Sequence, residues 1–254
     1  YVQGQNLAQA KTREKSGKPY PDMVKYGDDI WHCIHPEFLA DQLTLSLDRL
    51  GLATLDVCLL HNPEYFLSHA TRLGAGEQRE LSTLRDEFYA RLQLAFEYCE
   101  RQVEAGRLRG YGVSSNTSTA SPDEPGATSV SRMIEAAKAA AKNVGAAAHH
   151  FTVLQCPMNV HESGAALIKN TGPDNGSTLL DEALREGVAV LVNRPLNAMP
   201  AQRGGVVRLA DVPVPAPEAD FETQRQKVAL LEEEYRKDLA PAVAHSGQGM
   251  LPAD

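Results

Sequence analysis

Apolar positions along this chain follow two rhythms that take turns. Pro36 opens a stretch in which Leu39, Leu43, Leu47 and Leu50 recur every three or four residues until Gly51 stops it, which predicts an amphipathic helix. Leu55-Asp56-Val57-Cys58-Leu59-Leu60 follows, short and apolar enough for a buried strand. A second helical face, Leu81, Leu84, Phe88, Leu92, Phe96, Cys99 and Val103, predicts a helix from about Glu77 to Gly106. Leu108 to Val113 reads as the next strand. An Ala-rich helix from about Ser129 to Asn143, a strand from Phe151 to Gln155, a helix from about Ser177 to Glu186 and a strand from Val188 to Val192 complete the series. Nearly continuous apolar strands separated by helices predict an α/β fold with a parallel sheet buried on both faces.

The two ends of the chain lack this alternation. Residues 1–35 are polar and broken by Gly4, Gly17, Pro19, Pro21 and Gly27, and read as a long loop region. Past Pro200 the pattern dissolves. Val212 to Pro217 carries three prolines in six positions and reads as a linker. A C-terminal helix from about Glu218 to Leu239 follows, with Phe221, Val228, Leu231 and Tyr235 on one side. The expected organisation is a partial barrel over residues 1–200, then a linker and helix over 201–254.

Composition narrows the function. The 254 residues are 43% hydrophobic and 23% charged, the proportions of a globular chain. A net charge of −8 without any basic stripe argues against nucleic acid as the main partner. No apolar stretch approaches the roughly 20 residues that cross a bilayer, so no membrane partner is expected. Cys33, Cys58, Cys99 and Cys156 form no CxxC pair, and a reduced, cytoplasmic setting is expected. The start, Tyr1-Val2-Gln3-Gly4, has neither an initiator Met nor the layout of a signal peptide.

Chemistry-bearing residues gather where the strands end. After the first strand come His61, Asn62 and Glu64; after the second, Ser114, Ser115 and Asn116; the third ends in Gln155 and the fourth in Asn193 and Arg194. In a parallel sheet all these ends lie on one side, where barrels and doubly wound folds bind their ligands. His61 at a strand end could orient a carbonyl or a proton donor; it could equally be bonded to a nearby backbone carbonyl. No metal site is expected: His32 and His35 lack an accompanying carboxylate–histidine set, adjacent His149 and His150 point apart, and His161-Glu162 lacks the second histidine of HExxH. GxGxxG after a strand, GxxxxGK[ST] and GxSxG are all missing.

Asp48-Arg49-Leu50-Gly51-Leu52 with Leu55 through Glu64 resembles the aldo-keto reductase segment in which a helix leads into the fourth barrel strand, the one that ends in the active-site histidine. Gly106-Arg107-Leu108-Arg109-Gly110-Tyr111-Gly112-Val113-Ser114-Ser115-Asn116 is similar to the fifth strand of that family, with its Ser-Asn pair. Gln155 after Thr152-Val153-Leu154 matches the glutamine of the sixth strand, and Asn193-Arg194-Pro195-Leu196 resembles the seventh-strand turn that usually reads Tyr-Ser-Pro-Leu. The resemblance covers residues 37 to about 199. It implies a (β/α)8 barrel binding NADP(H), or less often NAD(H), and passing hydride to a small-molecule aldehyde or ketone. It assigns His61 a catalytic, substrate-orienting role; Ser115, Asn116, Gln155, Asn193, Arg194 and Leu196 to the cofactor; and Asn62 and Glu64 to the substrate.

Three departures accompany the resemblance. The aspartate, tyrosine and lysine that the family takes from strands two and three have no counterpart, Asn193 replaces the aromatic that stacks on nicotinamide, and no eighth strand is recognisable. A complete barrel takes about 250 residues and eight strands, whereas four are legible here. The expectation is a partial barrel lacking the first strands and the last, with weak or no reductase activity as it stands. Two alternatives stay open: a non-catalytic barrel that senses nucleotide or binds a partner, and a metal-dependent barrel hydrolase using His61 and Glu64. The sequence leaves the oligomeric state undetermined.

Overall fold

A computed structural model describes residues 1–73, 80–199, 205–209, 221–234 and 237. In chain order the elements are α1 (Gly4–Lys15), β1 (Val24–Lys25), β2 (Trp31–His32), α2 (Pro36–Leu50), β3 (Leu55–His61), α3 (Tyr65–Leu73), α4 (Leu81–Glu104), β4 (Leu108–Ser114), α5 (Val130–Val144), β5 (Phe151–Pro157), α6 (Gly164–Leu167), β6 (Lys169–Thr171), β7 (Ser177–Thr178), α7 (Leu179–Arg185), β8 (Ala189–Asn193), β9 (Asn197–Ala198), β10 (Val207–Arg208) and α8 (Phe221–Glu234).

The fold is α/β, centred on a four-stranded parallel sheet in the order β3-β4-β5-β8. These strands are neighbours in the order in which the chain makes them, with no reversal. A doubly wound sheet reverses at a switch point and carries helices on both faces. Here α4 lies on β4 and beside α5, and α5 reaches α7, which packs on β8. Tyr111 and Glu100 show which face the helices cover: the Tyr111 hydroxyl crosses from β4 to the Glu100 carboxylate of α4 at 2.7 Å. This is the winding of a (β/α)8 barrel, present as an open arc.

Curvature of the arc is visible at Gly112. A Cβ built there would stand 1.9 Å from the Val153 carbonyl oxygen, so only glycine lets β5 close over β4 at that point. The β4–β5 register slips between Tyr111 and Gly112 as well. By alternation from Tyr111, the opposite face carries Gly112 and Ser114, with Leu59 and His61 beside them on β3 and Val153 and Gln155 on β5.

The main core joins Phe88, Leu92 and Phe96 of α4, Tyr111 and Val113 of β4, Met133 and Ala137 of α5, and Phe151 and Leu154 of β5. Strands β4 and β5 are buried on both faces, as their sequences predict; β3 and β8, the two outer strands of the arc, are not. Val57 and Leu191 are exposed despite apolar side chains, and by register both lie on the face that carries His61 and Gln155.

Residues 1–35 are structured, contrary to the loop reading. Helix α1 has a weak apolar face, only Leu7 and Ala10, but its Gln, Ala, Lys, Arg and Glu residues favour helix. Its end is closed by the Lys18 N–H donating to the Arg13 carbonyl at 3.0 Å, with Gly17 in the left-handed conformation the turn requires. Leu7 and Ala10 enter a second small core with Val2, Tyr20, Trp31, Cys33 and Phe38. That core fastens the β1–β2 hairpin to α2, whose own N-terminus is capped by His35 Nδ1 accepting from the Glu37 N–H at 3.3 Å.

Other differences are local. Helix α3 and the hairpins β6–β7 and β9–β10 are short elements without a clear apolar period. The expected start of α4 at Glu77 and the linker at Val212 to Pro217 lie outside the described residues, as does Tyr235. In α8, Val228 and Leu231 are exposed rather than packed on the barrel.

Candidate active site

The sequence-predicted groups meet at one rim. His61 pairs in register with Ser114, and Ser114 with Gln155; Asn193 stands opposite Pro157, two residues further along β5. Side chains that share a register row in a parallel sheet share a face, so His61, Ser114 and Gln155 line up across three strands. The Ser114 hydroxyl donates to Gln155 Oε1 at 2.7 Å. Backbone bonds extend the tips: the Asn62 N–H donates to the Ser114 carbonyl at 2.7 Å, and the Ser115 N–H to the Gln155 carbonyl at 2.9 Å.

A second layer crosses the rim. Arg194 Nη2 donates to Asn116 Oδ1 at 2.8 Å, and Arg194 Nη1 pairs with Glu162 Oε1 at 3.1 Å. Asn159 Nδ2 donates to Glu162 Oε2 at 2.8 Å and to the Arg194 carbonyl at 3.1 Å. Arg194 has φ 57°, uncommon outside glycine, and this set of bonds holds it there.

His61 is exposed, with the ring of Tyr1 edge-on at 4.7 Å. Partial burial lowers its pKa below the usual histidine range, which favours the neutral imidazole. His32 Nε2 donates to the His61 carbonyl at 2.8 Å, and burial pushes the pKa of His32 down to about 4, so it too is neutral near pH 7. Asn62 Nδ2 donates to the Tyr1 hydroxyl at 2.7 Å, and that hydroxyl donates to the Tyr65 hydroxyl at 3.0 Å. Burial raises the pKa of Tyr65 further above the ordinary phenol value. Tyr1 and His61 also line a cavity of about 220 Å³ between α2 and the free edge of β3, walled by Leu39, Leu43 and Leu59.

Three residues take places other than those expected. Ser115 is only 1% exposed, and its Oγ accepts from the Thr117 N–H and contacts Thr128 Oγ1, so Ser114 is the serine beside Gln155. Asn62 and Glu64 are buried beneath the rim rather than open to a substrate. Glu64 Oε1 accepts from the Asn116 N–H at 2.7 Å, while Oε2 has no partner. Burial outweighs its hydrogen bonds and raises the pKa of its carboxyl to about 7. Leu196, as its turn position suggests, is exposed. Asn193 Oδ1 is buried without a partner.

Ser114 and Ser115 both stand at the strand end, and the resemblance assigns Ser115 rather than Ser114 to the cofactor; nothing in the residue pattern marks Tyr1, His32, Asn159 and Glu162 as supports of the rim. The run His61-Asn62-Pro63-Glu64-Tyr65 carried a usable signal, since four of its five side chains are polar immediately after a buried strand. Among the described residues no three His, Cys, Asp or Glu side chains gather as a metal would need, and Glu64 turns to Asn116 rather than joining His61. A larger cavity, about 620 Å³, lies between α4, α5, α7 and the β6–β7 turn and includes none of the predicted site residues. No described helix is long and apolar enough to cross a membrane.

No protein-family model and no curated protein matches the sequence. Solved structures do. The chain is 14% identical to the glycerol dehydrogenase of Gluconobacter oxydans, with a TM-score of 0.35, over 89% of this chain and 53% of that one. To a Bombyx mori aldo-keto reductase solved with NADP it is 16% identical, with a TM-score of 0.35, over 80% of this chain and 48% of that one. To a second silkworm aldo-keto reductase, complexed with NADPH, it is 18% identical, with a TM-score of 0.36, over 91% and 53%. The solved structures to which the chain is similar are aldo-keto reductases, and it spans about half the length of each.

Proposed function

We propose that this chain carries the nicotinamide-binding rim and the histidine of an aldo-keto reductase, an oxidoreductase acting on aldehydes or ketones with NADP(H), or alternatively NAD(H). The observation that carries the reading is the single row His61–Ser114–Gln155, with Asn116 and Arg194 bridging above it. His61, Asn116, Gln155 and Arg194 are positions at which the sequence resembles that family, and Ser114 stands where the resemblance assigns Ser115.

The residues suit the group they would hold. A nicotinamide carboxamide offers one carbonyl oxygen and one NH2. Asn116 is exposed, and its Nδ2 is turned away from the Arg194 contact and free to donate to that oxygen; Gln155 stands close by to complete the grip. When bound, the cofactor supplies the hydride. His61, neutral and at the rim, would hold the substrate carbonyl by a hydrogen bond, and the ordered amides would fix the ring facing it. Asn193, Arg194 and Leu196 would border the cofactor at the β8 end. Among the described residues no strand carries the tyrosine, lysine and aspartate that the family uses for proton transfer, so this chain binds dinucleotide and reduces carbonyls weakly or not at all.

Titration of NADPH and NADH into the purified chain tests this. Trp31, beside His32, reports binding through its fluorescence, and aldehyde-dependent NADPH consumption reports turnover. Saturable binding that is weakened by Asn116→Ala supports the reading. An absence of binding by either dinucleotide refutes it, and rapid turnover would show that the proton donor lies among these residues.

A further inference from the structure

We propose that the 620 Å³ cavity between α4, α5, α7 and the β6–β7 turn binds a phosphorylated sugar, with the phosphate against Arg85, Arg132 and the first turn of α5 and a sugar hydroxyl against Asn170. The cavity contains none of the rim residues, so the site is separate from the nicotinamide reading and stands without it.

Most of the charge around the cavity is already paired. Lys138 meets Glu186 at 2.7 Å and Arg185 meets Glu182. Arg85 is different: among the described residues it meets no carboxylate. Its Nη2 donates to the Pro122 and Glu124 carbonyls at 2.8 and 2.9 Å, and its buried Nε has no acceptor. Arg132 lies with its guanidinium 4.0 Å from the Tyr89 ring centre and reaches Asp86, an exposed carboxylate outside the cavity lining, at 2.8 Å. Burial raises the pKa of Tyr89, and the charges of Arg132 and Arg85 both oppose that rise, which places the two cations around one ring. Glu135 and Asp174 also line the cavity and carry no ion pair among the described residues, but both are exposed, where solvent screens them. Arg85 is half-buried, and its charge is screened less.

Helix α5 begins in the same wall. Its N-cap Ser129 makes no capping bond, because its Oγ meets the Ser131 and Thr171 hydroxyls instead, each at 2.9 Å. The Ser131 N–H is satisfied by Thr171 Oγ1 at 2.8 Å, while those of Val130 and Arg132 have no acceptor among the described residues. Such a helix start favours an anion.

Asn170 on β6 calls for the opposite group. It lines the cavity, is 3% exposed, and donates from Nδ2 to the Ser118 and Ala120 carbonyls at 2.7 and 2.9 Å. That fixes the amide and leaves Oδ1 buried without a donor. A buried acceptor left unmatched is costly, and a ligand hydroxyl removes the cost. An inorganic anion would leave Asn170 unmatched, and a neutral sugar would leave Arg85 without a counter-charge. A sugar phosphate carries both groups on one small skeleton.

Nuclear magnetic resonance titration of the isotope-labelled chain with glucose 6-phosphate, inorganic phosphate and glucose tests the site. Glucose 6-phosphate should shift the amide signals of Ser129, Ser131, Arg132 and Asn170 saturably. It should bind at least about tenfold tighter than inorganic phosphate, the equivalent of one net hydrogen bond. Glucose should shift none of these signals. Arg132→Gln, and Arg85→Gln, which keeps a donor for the loop carbonyls, should each weaken glucose 6-phosphate about tenfold. Equal affinity for inorganic phosphate and glucose 6-phosphate overturns the proposal, as do shifts confined to other residues or an affinity unchanged in both variants. Shifts produced at the rim by NADPH bear on the nicotinamide reading alone.

Discussion

The guanidinium of Arg194 reaches Oδ1 of Asn116 at 2.8 Å, a bond between residues 78 positions apart. It ties the tip of β4 to the tip of β8 over the intervening end of β5. Backbone pairing already joins β8 to β5; this side-chain span adds a direct link from β8 to β4, which the backbone ladder does not make. It also places a fixed cation beside the two rim amides, next to the position expected for a dinucleotide.

Gly112 is predicted to be intolerant of any side chain. A methyl group there meets the Val153 carbonyl oxygen and carbon at 1.9 and 2.8 Å, and both are backbone atoms that move only if β5 moves. Gly112→Ala should lower stability by about 3 kcal/mol or more, at or above the upper end for overpacked cores. Urea unfolding measures this, and a loss under about 1 kcal/mol would mean that the strands are less tightly closed than described.

Glu64 predicts a pH dependence with a definite sign. Its carboxyl titrates near 7 in the folded chain and near the ordinary glutamate value when unfolded. Between those values the folded state holds a proton that the unfolded state has released. The stability from this group is therefore full below about pH 4.5 and is lost as pH rises through about 7, a span of about 3 kcal/mol. His32 works in the opposite direction: held neutral with a pKa of about 4, it favours folding above the usual histidine range and loses that advantage as pH falls. The difference between wild type and Glu64→Gln in urea midpoint against pH isolates the glutamate, and it should change between pH 4.5 and 7 and level off above.

Glu100 should be among the most costly residues to truncate. Its buried carboxylate accepts from the Tyr111 hydroxyl at 2.7 Å, the His150 N–H at 2.8 Å and His150 Nδ1 at 2.7 Å, joining α4, β4 and the entry to β5. Glu100→Ala leaves three donors, on the buried Tyr111 and the half-buried His150, unmatched and should cost about 3–5 kcal/mol, whereas Tyr111→Phe removes one donor of three and should cost about 1–2 kcal/mol. Equal losses in the two variants would show that the carboxylate is not the centre of this cluster.

Much of the architecture was legible because burial writes itself into the residue pattern. Phe88, Leu92, Phe96 and Cys99 mark one face of α4, and Phe151 to Gln155 could hardly be anything but a strand. Helix α1 was illegible for the same reason in reverse: Leu7 and Ala10 are its only buried positions, and the rest of its stability lies in propensity and in contacts with Tyr20, Trp31 and Phe38. At the site, sequence gave the tips of the strands but not which way each side chain turns. Ser114 and Ser115 differ by one position and hence by a whole face of the sheet, a distinction that strand phase decides. Glu64 read as a rim carboxylate because it follows His61 closely; the turn at Asn62, with φ 48°, folds it underneath instead.

The most direct test of the central claim maps where NADPH lands on the isotope-labelled chain. The amide signals perturbed by saturating NADPH should belong to His61, Ser114, Asn116, Gln155, Asn193 and Arg194, in one contiguous patch at the rim. Perturbations confined to the 620 Å³ cavity lined by Arg132, Asp174 and Arg185, or none at all, would contradict it.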